Sequence, residues 1–274
     1  MRGLCVLLPF ALTATAIVHV AAQAGQPLDL AKTGVVIRFP AMDRVTVREK
    51  IVFKSVDGID LAMDLYAPPG GGPRPAVVLV SGGTDVRGWG LYKDYGRIVG
   101  ASDVVAVIPD KRFQGPQGIE QGAQDTLDLL AHLRANAATY NIDADRICMW
   151  TFSAGGSLAQ LGIDPKNKLS CVVAYYGLGQ AGPRLALRTH ADTMPPLLIV
   201  RAGRDNPNTN NAIDAFASLA LGLNAPVTVL NYPAGVHAFE VQDQRPEPKE
   251  PANIAETERI LRTTMHWIRE RLKR

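Results

Sequence analysis

Residues 146–156 read RICMWTFSAGG, and the architecture of the chain can be inferred outward from them. The first half of this stretch is a short apolar run, which is typical of a strand buried on both faces. Small residues fill the three positions after Ser153, as a sharp strand-to-helix turn requires, because strand and helix approach each other closely there. The stretch therefore predicts a strand, a tight turn with Ser153 at its apex, and a helix. A serine that only caps a helix after a buried strand is the alternative interpretation.

Apolar runs of the same kind lie on both sides of this stretch and alternate with helical patterns. The strand-like runs are residues 75–80, 104–108, 146–151, 171–175, 196–200 and 227–230, and the helical patterns are residues 119–133, a segment after Asn208, and residues 254–272. Before them, residues 45–53 and 59–66 carry alternating apolar positions around Asp57-Gly58, which is a hairpin signal. The pattern predicts an α/β fold: a mostly parallel, doubly covered sheet with an N-terminal antiparallel hairpin.

The composition of the 274 residues is that of a globular protein. Hydrophobic residues make up 47% and charged residues 20%, which excludes disorder as the main state. The net charge is +3, from 29 Lys and Arg against 26 Asp and Glu, and no run of Lys or Arg forms a phosphate-binding stripe. We therefore predict no nucleic-acid partner. No cluster of His, Asp and Glu has the spacing of metal ligands, so no metal is predicted.

Residues 1–24 have the pattern of a secretory signal peptide. Arg2 is their only charged residue, an apolar stretch occupies residues 4–22, and residues 22–24 have the small-x-small sequence Ala-Gln-Ala. We expect cleavage before Gly25 and export to a periplasm or out of the cell, with no stable membrane insertion afterwards. An uncleaved membrane anchor is the alternative.

We divide the chain that remains after this cleavage into an N-terminal extension at 25–44 and one α/β domain at 45–274. It contains two cysteines. An oxidising compartment would permit a disulfide between Cys148 and Cys171. Each of them lies in an apolar, strand-like run, and we therefore expect two buried free thiols.

Asp205 and His237 supply the residue types that a nucleophilic serine needs. In open α/β sheets, sites lie at the carboxyl ends of strands; Asp205 follows the run at 196–200, and His237 follows the run at 227–230. The histidine takes the serine proton, and the carboxylate fixes the imidazole tautomer. Because the order Ser153, Asp205, His237 suits this architecture, we predict a catalytic triad. A turn-forming aspartate and a solvated surface histidine are the alternatives.

The other histidines are poorer candidates for the base. Three of them lie in the signal peptide or in helical patterns: His19, His132 and His266. His190 precedes a strand, which places it near the opposite end of the sheet. Asp164 and Asp192 are fallback acids, but neither has the right position after a strand.

An oxyanion formed at Ser153 needs two N–H donors. We expect one from Ala154, the residue after the nucleophile, because the helix N-terminus directs N–H groups there. The other should come from the glycine-containing loop at 81–84, where we favour Gly83, with Gly82 as the next candidate.

Two further segments follow predicted strands and bear on the substrate pocket. Trp89 and Tyr92 follow the loop at 81–84, which we call the oxyanion loop. They are candidates for a pocket wall, with ordinary packing as the alternative. Residues 110–112, Asp-Lys-Arg, follow another strand. A structural ion pair is the favoured interpretation of them, and a subsite for a substrate anion is the alternative.

With these motifs, the chain resembles the α/β-hydrolase superfamily, and within it the dienelactone hydrolase-like or prolyl-oligopeptidase-like serine esterases. The resemblance spans roughly residues 45–272 and rests on SGG at 81–83, TFSAGG at 151–156, GRD at 203–205 and HAF at 237–239. Ser81 stands where such relatives often have His, and Ala238 stands where they often have Gly. The resemblance implies a serine-dependent hydrolase of ester, thioester or peptide bonds that uses no cofactor.

The leading hypothesis is an exported serine hydrolase that cleaves carboxylic esters or related acyl bonds through an acyl-enzyme. About twenty residues separate the runs at 171–175 and 196–200, too few for a lid domain, so an open site for a small-molecule ester is expected. One alternative is an exported peptidase of the prolyl-oligopeptidase type, although residues 25–44 cannot supply the propeller that such enzymes usually carry. Another is a non-catalytic binding protein, since Thr151 replaces the first glycine of the usual G-x-S-x-G. No oligomeric state is predicted.

Overall fold

A computed structural model describes residues 29–115, 117–242 and 251–273. The strands in these residues are β1 (Gly34–Val35), β2 (Thr46–Val56), β3 (Ile59–Ala67), β4 (Arg74–Val80), β5 (Val105–Pro109), β6 (Ile142–Phe152), β7 (Cys171–Tyr175), β8 (Leu197–Ala202), β9 (Val227–Tyr232) and β10 (Val241–Gln242). The α-helices are α1 (Gly90–Ala101), α2 (Gly118–Ala135), α3 (Ala137–Tyr140), α4 (Ala159–Ile163), α5 (Ala181–His190), α6 (Pro207–Gly222) and α7 (Pro251–Arg271). Short 3₁₀ helices lie at Leu30–Lys32, Met42–Arg44, Ser153–Leu158 and Pro165–Asn167.

Strands β2 to β9 form one eight-stranded sheet in the order β2-β3-β5-β4-β6-β7-β8-β9. β3 pairs antiparallel with both β2 and β5, and every later neighbouring pair is parallel. The hairpin between β2 and β3 turns at Asp57 and Gly58, whose φ angles of 54° and 75° suit an Asp-Gly turn between twisted strands. The predicted fold class is confirmed.

Helices cover both faces of the sheet. Alternate residues of its central strands point to opposite sides, and each set packs against a different group of helices. Val77 and Leu79 of β4 belong to the buried cluster that includes α1 and α7. Val78 and Val80 of the same strand belong to the cluster that includes α2. Farther along that second face, α4, α5 and α6 pack over β7 and β8. The central strands are therefore buried on both sides, as their continuous apolar runs predict.

Helix α1 was not predicted, because its sequence GLYKDYGRIVGA contains three glycines, which disfavour helix. Tertiary packing stabilises it instead. A Cβ on Gly96 would lie 2.6 Å from the Tyr66 ring, and one on Gly100 would lie 2.7 Å from Val45. Gly96 therefore lets α1 approach β3 closely, and Gly100 lets it approach the residue just before β2. The connection from β7 to β8 contains α5, a helix of 10 residues, and no lid domain.

The described part of the predicted N-terminal extension, residues 29–44, packs against the α/β domain. Within it, β1 pairs antiparallel with β10, and Val35, Ile37 and Met42 are buried in the same cluster as α1. The predicted signal peptide, 1–24, lies outside the described residues. Across the described ranges, no helix has the length and apolar character needed to cross a membrane.

Cys148 and Cys171 form a disulfide between β6 and β7. They are register partners on adjacent parallel strands, they belong to the same face of the sheet, and their Cα atoms are 4.7 Å apart, which is within the range of disulfides. The predicted pair of free thiols is therefore wrong. The sequence places each cysteine in a buried strand, but the register that sets them side by side is a tertiary property.

Removal of this disulfide should lower the free energy of unfolding. The cysteines are 23 residues apart in sequence, and closing a loop of that size in the unfolded chain corresponds to about 3 kcal/mol. We expect the Cys148→Ala/Cys171→Ala variant to lose about 2–4 kcal/mol in equilibrium urea unfolding relative to the oxidised wild type. Two reactive thiols in oxidised wild-type protein unfolded in guanidinium chloride would contradict the bond.

Candidate active site

Ser153 lies immediately after β6, where the chain turns into the 3₁₀ helix Ser153–Leu158. Its φ of 52° is left-handed, a conformation that costs an L-residue with a Cβ roughly 1–2 kcal/mol. Phe152 before it is still extended, with φ −132°. The reversal of φ within one residue turns the Ser153 side chain out at the carboxyl end of the strand. Backbone strain of this kind persists only where the surroundings enforce it.

Two glycines after Ser153 make this turn possible. A Cβ on Gly155 would lie 2.4 Å from the Val80 carbonyl oxygen, and one on Gly156 would lie 1.0 Å from the Gly177 carbonyl oxygen. Real Cβ atoms do not approach other atoms so closely. The helix start therefore packs directly on backbone at the ends of β4 and β7, as the small residues of the turn predict.

Thr151, which replaces the first glycine of the usual motif, is accommodated inside the sheet. It is fully buried, and its hydroxyl donates to the Val173 carbonyl on β7 at 3.2 Å. In register it pairs with Ala174. The substitution leaves no unsatisfied hydroxyl, and it falls before the strained part of the turn.

The structure brings together the three residues predicted as a triad. The Ser153 Oγ lies 2.8 Å from His237 Nε2, and His237 Nδ1 lies 2.7 Å from Asp205 Oδ2. Asp205 follows β8 and His237 follows β9. The side chain of Asp205 is 3% exposed and that of His237 is 16% exposed, so the carboxylate is buried behind the imidazole. With a proton on Nδ1 directed at the carboxylate, Nε2 is left to accept from the serine.

Backbone hydrogen bonds fix the two loops that carry Asp205 and His237. The N–H of Gly203 donates to the Tyr232 carbonyl at 2.7 Å, and the N–H of Arg204 donates to the Gly235 carbonyl at 2.8 Å. The second carboxylate oxygen of Asp205 accepts the Asn206 N–H at 2.6 Å. The acid and the base are therefore held by their own loops as well as by each other.

Tyr176 packs against His237 and is itself bound by Glu240, and sequence reasoning missed both residues. The Tyr176 ring packs on the His237 ring at a centroid distance of 4.7 Å. The Tyr176 hydroxyl donates to Glu240 Oε1, and both side chains are buried. Tyr176 immediately follows β7 and has a φ of 37°. The position of Tyr176 directly after a strand is the feature of the sequence that could have indicated its place at the site.

The oxyanion loop places Gly82, rather than Gly83, beside Ala154. A Cβ on Gly82 would lie 3.1 Å from the Ala154 nitrogen. The Gly83 N–H already donates to the Ser81 hydroxyl at 3.2 Å. Among the described residues, the N–H groups of Gly82 and Ala154 have no hydrogen-bond acceptor. The geometry thus favours Gly82, the second candidate of the sequence, over Gly83.

The two aromatic pocket candidates differ in their surroundings. Trp89 is half-buried, and its ring lies close to where a Gly83 Cβ would stand. Tyr92 is buried, with its ring 5.6 Å from Phe152 and 6.4 Å from Tyr95. Trp89 therefore stays a candidate for the pocket wall, while the contacts of Tyr92 favour ordinary packing.

The segment at 110–112 mostly makes ion pairs, as the favoured interpretation predicts. Asp110 pairs with Arg87 at 2.8 Å, and Arg112 pairs with Asp125 at 2.9 Å. Lys111 between them is buried without such a pair among the described residues. Throughout the ranges that the structure describes, no group of His, Cys, Asp and Glu is arranged to hold a metal ion.

A mostly parallel sheet with a serine on a strand-to-helix turn, followed by an acid and a histidine after later strands, defines the α/β-hydrolase class. Residues 112–272, more than half of the chain, match the Dienelactone hydrolase family, and the chain belongs to that family. It is accordingly an ester hydrolase, since a lactone is a cyclic ester. No curated protein matches the sequence.

Solved esterase structures share the fold at low sequence identity. The thermophilic esterase Est2 of the planctomycete Thermogutta terrifontis, with propionate bound, is 19% identical, with a TM-score of 0.64 over 84% of this chain and 96% of that chain. The same esterase phosphorylated by paraoxon is 18% identical, with a TM-score of 0.61 over 83% of this chain and 97% of that one. A structure of arylesterase is 18% identical, with a TM-score of 0.66 over 94% of this chain and 96% of that one. These likenesses establish the fold.

Substitution of Gly156 should show how strictly the turn depends on close packing. Because its Cβ would overlap the Gly177 carbonyl, we expect Gly156→Ala to lower the free energy of unfolding by more than about 3 kcal/mol. Gly222→Ala is the matched control, since nothing beyond its own stretch of helix lies within 4 Å of that Cβ position, and it should be neutral within about 0.5 kcal/mol. Equal unfolding midpoints in urea for the two variants would contradict the packing described.

Proposed function

We propose that the protein is an exported serine esterase that hydrolyses small carboxylic esters through an acyl-enzyme at Ser153. The observation that carries the proposal is the continuous line of contacts from Ser153 Oγ through His237 to the buried Asp205, at 2.8 Å and 2.7 Å. A serine that merely caps a helix needs neither a histidine at its hydroxyl nor a carboxylate behind that histidine.

In the first half-reaction, the Ser153 Oγ attacks the ester carbonyl carbon while His237 Nε2 accepts the hydroxyl proton. The carbonyl oxygen becomes an oxyanion, and the unengaged N–H groups of Ala154 and Gly82 are the donors we assign to it. The bond to the alcohol oxygen then breaks, and the imidazolium returns its proton to that oxygen. Alcohol leaves, and the acyl group stays on Ser153.

In the second half-reaction, water takes the place of the serine as nucleophile. His237 Nε2 accepts a proton from the water as its oxygen bonds to the acyl carbon, and the same N–H groups hold the new oxyanion. The bond to Ser153 Oγ breaks, and the imidazolium returns the proton to the serine. Asp205 keeps the Nδ1 proton in place throughout and stabilises the imidazolium. No step calls for a cofactor.

Small acyl groups suit this site best. The connection from β7 to β8 carries no lid domain, so a long acyl chain would be left largely in water. Est2 has been solved with propionate and with butyrate bound, both short-chain acids. The half-buried Trp89 beside the oxyanion loop is the residue we assign to the pocket wall.

Variants of the triad test the proposal with p-nitrophenyl acetate as substrate. We expect Ser153→Ala to lower kcat by about 10⁴-fold or more, and Asp205→Asn by about 10²–10⁴-fold, because the wrong histidine tautomer then faces the serine. Ser170→Ala and Asp192→Asn, at positions away from the triad, are the matched controls and should keep wild-type kcat.

Two results would count against this account. Ester hydrolysis that Ser153→Ala leaves unchanged would favour a binding protein with the same fold. Faster cleavage of X-Pro p-nitroanilides than of p-nitrophenyl esters by the wild type would favour the peptidase.

Export is the second part of the proposal. Residues 1–24 have a basic start, an apolar middle and a small-x-small end, which together form a signal-peptide pattern. The Cys148–Cys171 disulfide adds support, since such bonds persist mainly in oxidising compartments.

Expression of the full chain in a Gram-negative bacterium tests export. We expect the protein in the periplasm or medium, with Gly25 as its first residue by mass spectrometry. Ala22→Leu/Ala24→Leu should block cleavage, because the cleavage site requires small residues. Recovery of a soluble cytoplasmic protein that retains residues 1–24 would overturn this part without touching the esterase assignment.

A further inference from the structure

Lys111 is a buried cation that forms no ion pair with a carboxylate of the described residues. It is two residues past β5, and its residue exposure is 1%. Among the described residues, no carboxylate lies within ion-pair distance of its ammonium, and its neighbours Asp110 and Arg112 are paired with Arg87 and Asp125. A buried ammonium is costly unless its N–H groups are satisfied. Its position must therefore depend on other acceptors.

Those acceptors belong to the oxyanion loop. The Lys111 Nζ donates to the Ser81 hydroxyl at 3.1 Å and to the Gly83 carbonyl at 2.5 Å. It also lies 5.1 Å from the centre of the Phe113 ring, a distance at which a cation interacts favourably with an aromatic face. One ammonium thus bridges the two residues that flank Gly82.

This bridge fixes the direction of the two peptide groups on either side of Gly83. The Gly83 carbonyl is directed at Lys111, and the Gly83 N–H is directed at the Ser81 hydroxyl. Both polar groups of Gly83 are thereby turned into the protein. Gly82 lies next to Ala154, and its N–H has no acceptor among the described residues. Loss of the ammonium would leave the Gly83 carbonyl with only the Ser81 hydroxyl as a donor, at 3.2 Å, and would so weaken the hold on the loop.

We propose that Lys111 is a positioning residue for the oxyanion hole: its ammonium clamps Ser81 and Gly83 so that the Gly82 N–H is available to the oxyanion. The clamp also places a positive charge next to the peptide that meets the developing negative charge, which favours the transition state in a water-poor site. This role rests on the proposed esterase function and deepens it. Ser81, which stands where relatives often have His, thereby has a defined use.

Protonation of Lys111 should make the clamp sensitive to pH. Burial lowers the pKa of Lys111 to about 7, while the charges of Asp110 and Asp125 act in the opposite direction. The ammonium is present below that pKa and is lost as the pH rises through it. Because the clamp needs the ammonium, kcat should fall as the pH rises above about 7.

Asp110 and Asp125 are the carboxylates whose charges act on Lys111. Burial acts to raise the pKa of Asp125 on α2, but the hydrogen bonds that it accepts from Arg112 and Lys54 outweigh burial. The pKa of Asp125 therefore lies below its usual value. Asp110 is paired with Arg87 on the loop before α1. Tyr92 on α1 has its pKa raised by burial. The alkaline decline therefore belongs to Lys111.

The test compares Lys111→Met and Lys111→Arg with wild type in kcat, KM and the pH profile of kcat on p-nitrophenyl acetate. We expect Lys111→Met to lower kcat by about 10–100-fold with KM changed less than about threefold, and to remove the alkaline decline. Lys111→Arg keeps a cation that does not titrate in this range, so it should recover part of kcat and also lack the decline.

Two further variants make the test independent of folding defects. Lys166→Met removes a lysine whose side chain is 75% exposed and should match wild type. Ser81→Ala keeps Lys111 but removes one of its two acceptors, and it should lower kcat by about 5–10-fold. If Lys111→Met does not fold, Ser81→Ala and the wild-type pH profile decide the question.

Several outcomes would overturn the proposal: Lys111→Met or Ser81→Ala with kcat within twofold of wild type, or a wild-type kcat that is flat from pH 7 to 9. A loss in Lys111→Met that leaves the alkaline decline intact would show a purely structural role. Each of these leaves the esterase assignment standing as long as Ser153→Ala is inactive. An active Ser153→Ala variant overturns the assignment itself.

Discussion

The close contact between the helix start after β6 and the backbone at the ends of β4 and β7 is the constraint on which the site depends. The space that a side chain would fill at Gly155 and Gly156 is taken by the carbonyl groups of Val80 and Gly177. That contact forces Ser153 into left-handed backbone, with φ 52°. The same contact sets the oxyanion loop after β4 against Ala154 and places the chain after β7 against the serine. A looser turn would separate the nucleophile from both its donors and its base.

Around this turn, each reacting group is fixed by a second interaction that takes no part in the chemistry. His237 lies between Asp205 and the ring of Tyr176, so neither its tautomer nor its plane is free to change. Asp205 is held by the N–H of Asn206. The loop after β4 is held by Lys111. Such preorganisation matters because the donors must already point at the oxyanion when it forms.

Sequence periodicity and the order of residues were enough to predict the sheet, the turn at Ser153 and the three residues that meet there. Strand and helix periods are local properties, and parallel strands bring their carboxyl ends to one edge whatever their register. Register itself is not local, and this is why the pairing of Cys148 with Cys171 was missed. The choice of Gly82 over Gly83 depends on where the Ser81 hydroxyl points, and the roles of Tyr176 and Lys111 depend on contacts across the fold. These are properties of packing that no single segment encodes.

The activation of Ser153 by His237 can be tested with a fluorophosphonate, because such a reagent modifies a serine only when a base activates it. The adduct is located by intact-mass measurement and peptide mapping. Est2, which shares the fold, is phosphorylated by paraoxon. We expect one adduct per chain, located on Ser153, and a much slower reaction in the His237→Ala variant. Folded protein that takes up no label at Ser153, or that is labelled there equally fast without His237, would contradict it.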